Sequence, residues 1–517
     1  MPGYYVENFG CRATQADGAA LERQFEQRGM FRASSPKQAS VVVMNTCTVT
    51  AGADQDARAA IRRVRRQNPQ AQIVVTGCYA QRAPEEIAAL PGVSLVIGNS
   101  HKHRLAEIVS TQTHASDLGP QTSDPGFVPL TTLSLAAGSR EPEAESPIFV
   151  SDIFAHTELL AAPIFDAANE RTRPNLKVQD GCDNRCSFCV IPFVRGQNRS
   201  LPIERILREV NGLVASGYRE VVISGINLGR WGRDLVGFGL PAAGFRSSLT
   251  DWEDFGPQTS DLSETYESAF GNPMSDLFRK PRAESRKPTL PALIRAILAE
   301  TGLQKLRISS VEPMDWTDEL ISLVATSPRI AKHAHVPMQS GSDSVLRRMH
   351  RKYRPWHYRE KIEKIRAAMP TAAIGADVMV GFPGETDSEF EATRRMIADL
   401  PFTYLHVFTY SARPGTPAAT MPHQVPVHLA RERNRILRQL AAEKKLAFMR
   451  SFVGKSIDAI TLNVAGSDDT GEFTEALTDN YLKLRLRGRH DPNRWLHARI
   501  EDVGDGALAG ILAQRAG

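Results

Sequence analysis

Three short apolar, β-branched runs open the chain, and each ends at a cysteine: GYYVENFGC (3–11), ASVVVMNTC (39–47) and AQIVVTGC (71–78). Helical periodicity follows each run, near residues 16–29, 53–67 and 83–90. Strand and helix periods in alternation predict a parallel sheet with crossover helices for residues 1–112. Ligands of such sheets sit beyond the carboxyl ends of the strands. Cys11, Cys47 and Cys78 all fall at those ends, so they are expected to converge.

The alternation resumes from LKVQDGC (176–182) to about residue 425. EVVISG (220–225), KLRISSVEP (305–313), HAHVPMQSG (333–341), AIGADVMVGFPGE (373–385) and TYLHVFTYSARPG (403–415) read as strands entering glycine- or proline-marked loops. Helical patterns fit between them at 202–216, 291–301, 316–325, 342–349, 356–368 and 386–399. This predicts a β/α barrel, partial or full, over 173–425. Residues 113–172 read as an acidic linker or insertion, and 233–288 as a loop insertion in the barrel. A basic amphipathic helix is expected within 426–451, with Leu429, Ile436, Leu437 and Leu440 on its apolar side. Short alternating runs in 452–517 predict a small antiparallel β-barrel or sheet. The expected class is therefore α/β, with a small all-β unit at the end.

No apolar run approaches the length of a membrane span. The start, MPGYYVENFGC, lacks a basic segment followed by an apolar one, so a reducing, cytoplasmic setting is expected. The net charge is +5, unevenly spread: residues 113–170 hold nine acids and one base, which leaves the remainder at +13. A basic body fits a polyanion such as RNA, and equally a merely well-solvated surface. The same two readings apply to Arg58, Arg62, Arg63, Arg65 and Arg66, on the helix after Cys47.

The six cysteines form two triads with none left over. Cys182, Cys186 and Cys189 lie in QDGCDNRCSFCVIPFVRG (179–196), a C-x-x-x-C-x-x-C spacing that puts three thiolates in one loop after a strand. Three thiolates leave one iron of a four-iron cluster without a protein ligand, and chemistry can occur there. Zinc is the competing occupant, but it takes four ligands in paired knuckles, and no fourth Cys or His lies nearby in sequence.

The loop resembles the radical S-adenosylmethionine (AdoMet) signature, C-x-x-x-C-x-aromatic-C, with Phe188 as the aromatic residue. The likeness extends along most of the chain. FGCRATQ, NTCTVT and GCYAQR are similar to the cysteine loops of the methylthiotransferase family. SGINLG (224–229), SSVEP (309–313), HVPMQSGSDSVLRRMHRKY (335–353), DVMVGFPGET (377–386) and YSARPGTPA (410–418) match family elements in order. The segment ALTDNYLKLRL (476–486) resembles a TRAM domain, a small RNA-binding barrel. The resemblance implies two 4Fe–4S clusters, one on Cys182, Cys186 and Cys189 and one on Cys11, Cys47 and Cys78. It implies AdoMet chelated at the first cluster and cleaved reductively to a 5′-deoxyadenosyl radical, with the second cluster presenting sulfur that a second AdoMet methylates. Phe188, Gly225, Ser309, Glu312 and Gln339 become candidate AdoMet contacts, with Asp377 and Arg413 as weaker ones.

The closest branch methylthiolates carbon 2 of N6-threonylcarbamoyladenosine at position 37 of tRNA, which implies tRNA and a flavodoxin- or ferredoxin-type electron donor as partners. Sister branches act on isopentenyladenosine in tRNA and on an aspartate of a ribosomal protein; a plain iron–sulfur electron carrier is the competing class. Thr14 stands where the family usually has Asn, and the two insertions exceed the family length. Lys483, Arg485 and Arg487 alternate along one strand and share a face, which with Tyr481 forms either an RNA-stacking surface or a charge-guarded strand edge.

Overall fold

The computed structural model describes residues 2–117, 147–156, 159, 173–235, 288–468 and 471–513. Most of the acidic segment 113–172 and of the insertion 233–288 lies outside the described residues.

The first domain is a parallel sheet of β1 (Gly3–Asn8), β2 (Phe31–Arg32), β3 (Val41–Thr46), β4 (Gln72–Gly77), β5 (Val93–Gly98) and β6 (Ile148–Phe149), in the order β2-β1-β3-β4-β5-β6. Both faces are covered, so β3 is buried at every position and its first four residues are a continuous apolar run rather than an alternating one. Val42, Met44, Ile73 and Val75 pack under the helix Ala51–Gln67. Val41, Val43 and Val74 pack on the other face with Leu21 and Phe25 of the helix Arg12–Glu26. Strand β5 was not expected: VSLVIG is a six-residue apolar run, too short for its period to separate strand from buried helix.

The second domain contains β7 (Asn175–Asp180), β8 (Arg199–Ser200), β9 (Glu220–Gly225), β10 (Lys305–Ile308), β11 (His333–His335), β12 (Ala373–Val380) and β13 (Tyr404–Thr409). Six of these run parallel in the order β7-β9-β10-β11-β12-β13, with β8 antiparallel at the edge. The Val311 N–H donates to His335 O at 3.1 Å and carries the sheet from β10 to β11. No ladder among the described residues joins β13 back to β7, so this is a partial barrel. Leu176, Val178, Val221, Ile223, Leu306 and Ile308 pack against the surrounding helices. The alternate residues, Lys177, Gln179, Glu220, Ser224, Arg307, His333 and His335, face inward by the period of two. A closed barrel of this kind fills its interior with branched apolar side chains; here the interior is polar and encloses a chamber.

The helix Val427–Arg450 leads to a closed barrel of β14 (Ser456–Asp468), β15 (Gly471–Thr478), β16 (Lys483–Arg487), β17 (Trp495–Gly504) and β18 (Ala507–Leu512). Its core holds Leu482, Leu484, Leu486, Ile500 and Leu508. The expectation of a purely antiparallel barrel is corrected at one ladder, since β16 and β18 pair in parallel to close the ring.

The barrel docks on the second domain through the turn after β15. Arg307 Nη1 donates to Asp479 O at 3.1 Å, Lys305 pairs with Asp479 at 2.9 Å, and Asn480 Nδ2 donates to Thr371 O at 2.9 Å. The first domain docks through a buried ionic network. Asp17, on the first helix, accepts from Lys102 Nζ at 3.2 Å, from Arg195 Nη2 at 3.0 Å, and from Lys177 Nζ. Asp180 accepts from Lys177 at 2.7 Å and from Arg195 at 3.0 Å. Burial alone would raise the Asp17 carboxyl, but Lys102, Lys177 and Arg195 outweigh it and bring it down to about 2.

A carboxyl held below its ordinary value contributes stability above that value and loses it as pH falls through the folded one. The Asp17 contribution is therefore complete near neutrality and fades between about pH 4 and pH 2. Asp17→Ala leaves buried Lys102 without a carboxylate and removes one of the two acids shared by Lys177 and Arg195, and is expected to cost about 3–5 kcal/mol in urea unfolding at pH 7. A cost below about 0.5 kcal/mol, typical of surface changes, would remove the network from its place in the fold.

Candidate active site between two cysteine triads

Each triad is set by tight local backbone. Gly10 adopts φ +104°, and a Cβ there would lie 2.6 Å from Cys47 Cβ, so the loop before Cys11 packs directly on Cys47. Cys11 caps the helix Arg12–Glu26 and is exposed, whereas Cys47 and Cys78 are buried. Thr14 Oγ1 lies 3.7 Å from Cys11 Sγ, and Asn99 Nδ2 lies 3.6 Å from Cys78 Sγ. Burial, then the neighbouring Cys78 thiol, pushes Cys47 up to about 11. Cys11 and Cys78 are near enough to Arg195 to interact with it electrostatically, as Cys78 is with Lys102. Three mutually repelling thiols beside a cationic network suit a multinuclear, thiolate-ligated centre.

The second triad follows β7. Gly181 adopts φ +71°, and a Cβ there would lie 1.8 Å from Gln197 O, so the approach to Cys182 requires glycine. Cys182 Sγ accepts from the Asn184 N–H at 3.4 Å and from Asn227 Nδ2 at 3.5 Å. Cys186 Sγ accepts from Arg351 Nη1 at 3.2 Å, and the same guanidinium pairs with Glu312. Burial, then Cys186, pushes the Cys189 thiol up to about 12. A bound cation reverses this raising, because coordination deprotonates the thiol.

One cavity of about 500 Å³ runs from Cys11 of the first triad to all three cysteines of the second. Cys11 and Arg12 line it from the first domain, Cys182, Cys186 and Cys189 from the second, and Tyr481 from the barrel. Phe188, Gly225, Ser309, Glu312, Gln339 and Asp377 also line it. The Ser224 and Ser309 hydroxyls and Asn227 Oδ1 are buried with no hydrogen-bond partner. Unsatisfied polar groups on a cavity wall are what a polar ligand such as AdoMet would engage. Gln339 sits at φ +61°, held by its N–H to Asp377 O and its carbonyl to the Met379 N–H, both 2.8 Å; such a backbone persists only where its surroundings enforce it. Gly225 packs on Gln179, whose Oε1 would lie 2.6 Å from any added Cβ.

Two expectations are corrected. Tyr481 does not share the face of Lys483, Arg485 and Arg487. It precedes β16 at φ +69°, and its ring turns into the chamber, with centroids 4.7 Å from His333 and 6.0 Å from Tyr404. Lys483 and Arg487 remain exposed on β16, while half-buried Arg485 pairs with Asp505 at 3.1 Å. Arg413 lies away from the AdoMet candidates, buried at the domain boundary, where it donates to Thr48 Oγ1 at 2.8 Å and pairs with Asp54. In the arginine-rich helix, Arg58 pairs with Glu86 and Arg63 with Glu7, so those two charges are already engaged.

The chamber also contains residues that motif reading did not raise: Arg12, Tyr404, His406, Asn227 and Arg351. Arg351 lies within a matched segment but carries no spacing signal. Arg12 follows a cysteine directly, and Asn227 lies inside SGINLG. Among the described residues, no helix is long and apolar enough to cross a membrane.

Residues 3–98 match the uncharacterized protein family UPF0004, and residues 280–397 match the radical SAM superfamily. The structure is similar to the radical S-adenosylmethionine methyltransferase TsrM from Kitasatospora setae, with a TM-score of 0.51 at 13% identity, over 81% of this chain and 76% of that one. The fold is thus that of the radical SAM proteins. The chain is 32% identical to the threonylcarbamoyladenosine tRNA methylthiotransferase MtaB of Bacillus subtilis, over 93% of this chain and 90% of that protein. It is 31% identical to MtaB of Aquifex aeolicus, over 96% and 99%. It is 32% identical to the tRNA-2-methylthio-N(6)-dimethylallyladenosine synthase of Novosphingobium aromaticivorans, over 88% and 86%. The chain belongs to the radical SAM tRNA methylthiotransferase family, whose cofactors are AdoMet and two four-iron clusters.

Thiolate population and exposure govern alkylation. In cluster-free protein at pH 8, iodoacetamide is expected to modify exposed Cys11 first, with buried Cys47 and Cys78 last. Peptide mapping of a time course reads the order, and early labelling of Cys47 would contradict the burial described.

Proposed function

We propose that this enzyme methylthiolates carbon 2 of N6-threonylcarbamoyladenosine in tRNA. The observation that carries the reading is the chamber lined by Cys11 of the first triad and by Cys182, Cys186 and Cys189 of the second, in a chain similar to MtaB proteins over nearly its full length. Cys182, Cys186 and Cys189 hold the cluster that takes AdoMet, and Cys11, Cys47 and Cys78 hold the second. Bound there, these groups supply radical activation of an unreactive ring carbon and the sulfur and methyl that replace its hydrogen.

The protein's own part is to hold and orient. Asn184 and Asn227 fix Cys182, and Arg351 fixes Cys186 while anchoring Glu312. Ser309, Gln339, Ser224 and Asn227 take polar groups of AdoMet, Phe188 flanks its adenine, and Gly225 keeps the wall thin beside it. The first domain lids the chamber and keeps water from the reacting carbon. Lys483 and Arg487 on β16 contact the tRNA backbone. A flavodoxin- or ferredoxin-type protein supplies electrons, in the cytoplasm.

Nucleoside mass spectrometry of tRNA from cells with and without the gene tests this reading. Loss of 2-methylthio-N6-threonylcarbamoyladenosine with accumulation of its unthiolated precursor is expected. Retention of that nucleoside with loss of the dimethylallyl counterpart would assign the substrate of the synthase-type relatives instead.

A further inference from the structure

The chamber floor is formed where three domains meet. Arg12 Nη2 donates to Tyr481 Oη at 2.9 Å, joining the residue after Cys11 to the turn of the C-terminal barrel. Tyr481 in turn lies against His333 and Tyr404, and His333 Nε2 is 2.6 Å from Tyr404 Oη.

The charges around this floor are not balanced. Arg351 pairs with Glu312, Arg307 with Glu220 at 2.6 Å, and Lys177 with Asp17 and Asp180. Among the described residues no carboxylate pairs with Arg12, whose guanidinium donates to the Tyr481 hydroxyl. Burial, then Arg307, holds His333 well below its ordinary value, and burial lowers His406. Arg12 is thus a half-buried guanidinium lining a ligand-sized cavity with nothing anionic on it.

Next to it stands a cluster of polar atoms. His335, Asp377 and His406 place one nitrogen or oxygen each within 4.8 Å of one another. His335 Nδ1 is taken by Ser310 Oγ at 2.7 Å, while buried Nε2 has no hydrogen-bond partner and faces Asp377 Oδ1 at 3.4 Å. Asp377 therefore keeps accepting capacity toward the cavity.

We infer that this floor is a subsite for the substituent on N6 of the substrate adenosine, with Arg12 binding a carboxylate on that substituent and Asp377 accepting from its N–H or O–H groups. The inference rests on the substrate reading above and deepens it. A threonylcarbamoyl group carries a carboxylate, a hydroxyl and urea N–H groups, and so answers both halves of the floor. A dimethylallyl group carries none of them and would leave a desolvated guanidinium and a carboxylate without partners. Sites built from buried polar groups reject analogues lacking the matching group far more strongly than apolar pockets reject a misfit. Arg12 is thus a specificity residue placed beside a cluster ligand, with Tyr481 positioning it.

The test uses anticodon stem-loops bearing N6-threonylcarbamoyladenosine, its carboxamide analogue, or N6-dimethylallyladenosine, with the reconstituted full-length protein. Dissociation constants by fluorescence anisotropy are read beside kcat/KM. Wild type is expected to favour the carboxylate over the carboxamide on the order of 30-fold or more. Arg12→Ala is expected to lose that preference and treat the two alike, and Arg12→Lys to recover part of it. The wild-type comparison needs no variant, so a misfolded Arg12→Ala leaves the test intact. Equal handling of carboxylate and carboxamide by wild type, with the threonylcarbamoyl substrate still turned over, would overturn the subsite and leave the substrate reading standing. Turnover of the dimethylallyl stem-loop alone would overturn both.

Discussion

Five buried charges lock together the two domains that carry the cysteine triads. Asp17 lies six residues after Cys11, Asp180 two before Cys182, and Arg195 six after Cys189. Lys177 and Lys102 complete the set, from the strand leading to the second triad and from the first domain. Two carboxylates against three cations leave one positive charge in excess, and Arg195 and Lys102 turn it toward the first triad's thiols. Burying such a group is costly unless every member is paired, and a partly paired set is worse than an apolar contact. An apolar interface would join the domains as firmly, but it would neither fix their register as narrowly nor offset charge on three thiolates.

The polar barrel interior follows from the same requirement. Inward positions that would elsewhere be Val, Ile or Leu are Lys177, Glu220, Arg307, His333, His335 and His406. Lys177 and Arg307 stay satisfied because the flanking domains supply partners: Asp17 for Lys177 from the first domain, the carbonyls of Thr478 and Asp479 for Arg307 from the barrel. Each flanking domain thus completes the hydrogen bonding of the central one and closes an opening of the chamber. Arg12 and Tyr481 meet there, so the floor exists only when all three domains are docked.

The β/α alternation, the cysteine spacing and the limits of most later helices were legible because each rests on local signals such as period and capping residues, while the first helix starts at Arg12, four residues before its expected limit. The helix expected at 386–399 runs Asp387–Asp399 behind a Thr386 capping box, a purely local device. What was not legible depends on contacts distant in sequence. Tyr481 read as part of the alternation of β16, because nothing in its neighbours announces the positive φ that turns it inward. Arg413 read as a ligand contact because its partners, Thr48 and Asp54, lie more than 350 residues away. Lys177 and Arg307 interrupt apolar strands and carry no sign of which acids will neutralise them. Arg12 carries no signal of its own beside the cysteine that precedes it.

The central claim is that the triads act as separate centres on a shared chamber, and paired cysteine variants test it most directly. Reductive AdoMet cleavage to 5′-deoxyadenosine is measured for Cys186→Ala and Cys47→Ala, with circular dichroism confirming the fold. Cys186→Ala is expected to abolish cleavage. Cys47→Ala is expected to retain most of it while yielding no methylthiolated tRNA. Equal loss of cleavage in both variants, with the fold intact, would contradict the division of labour and with it this account of the site.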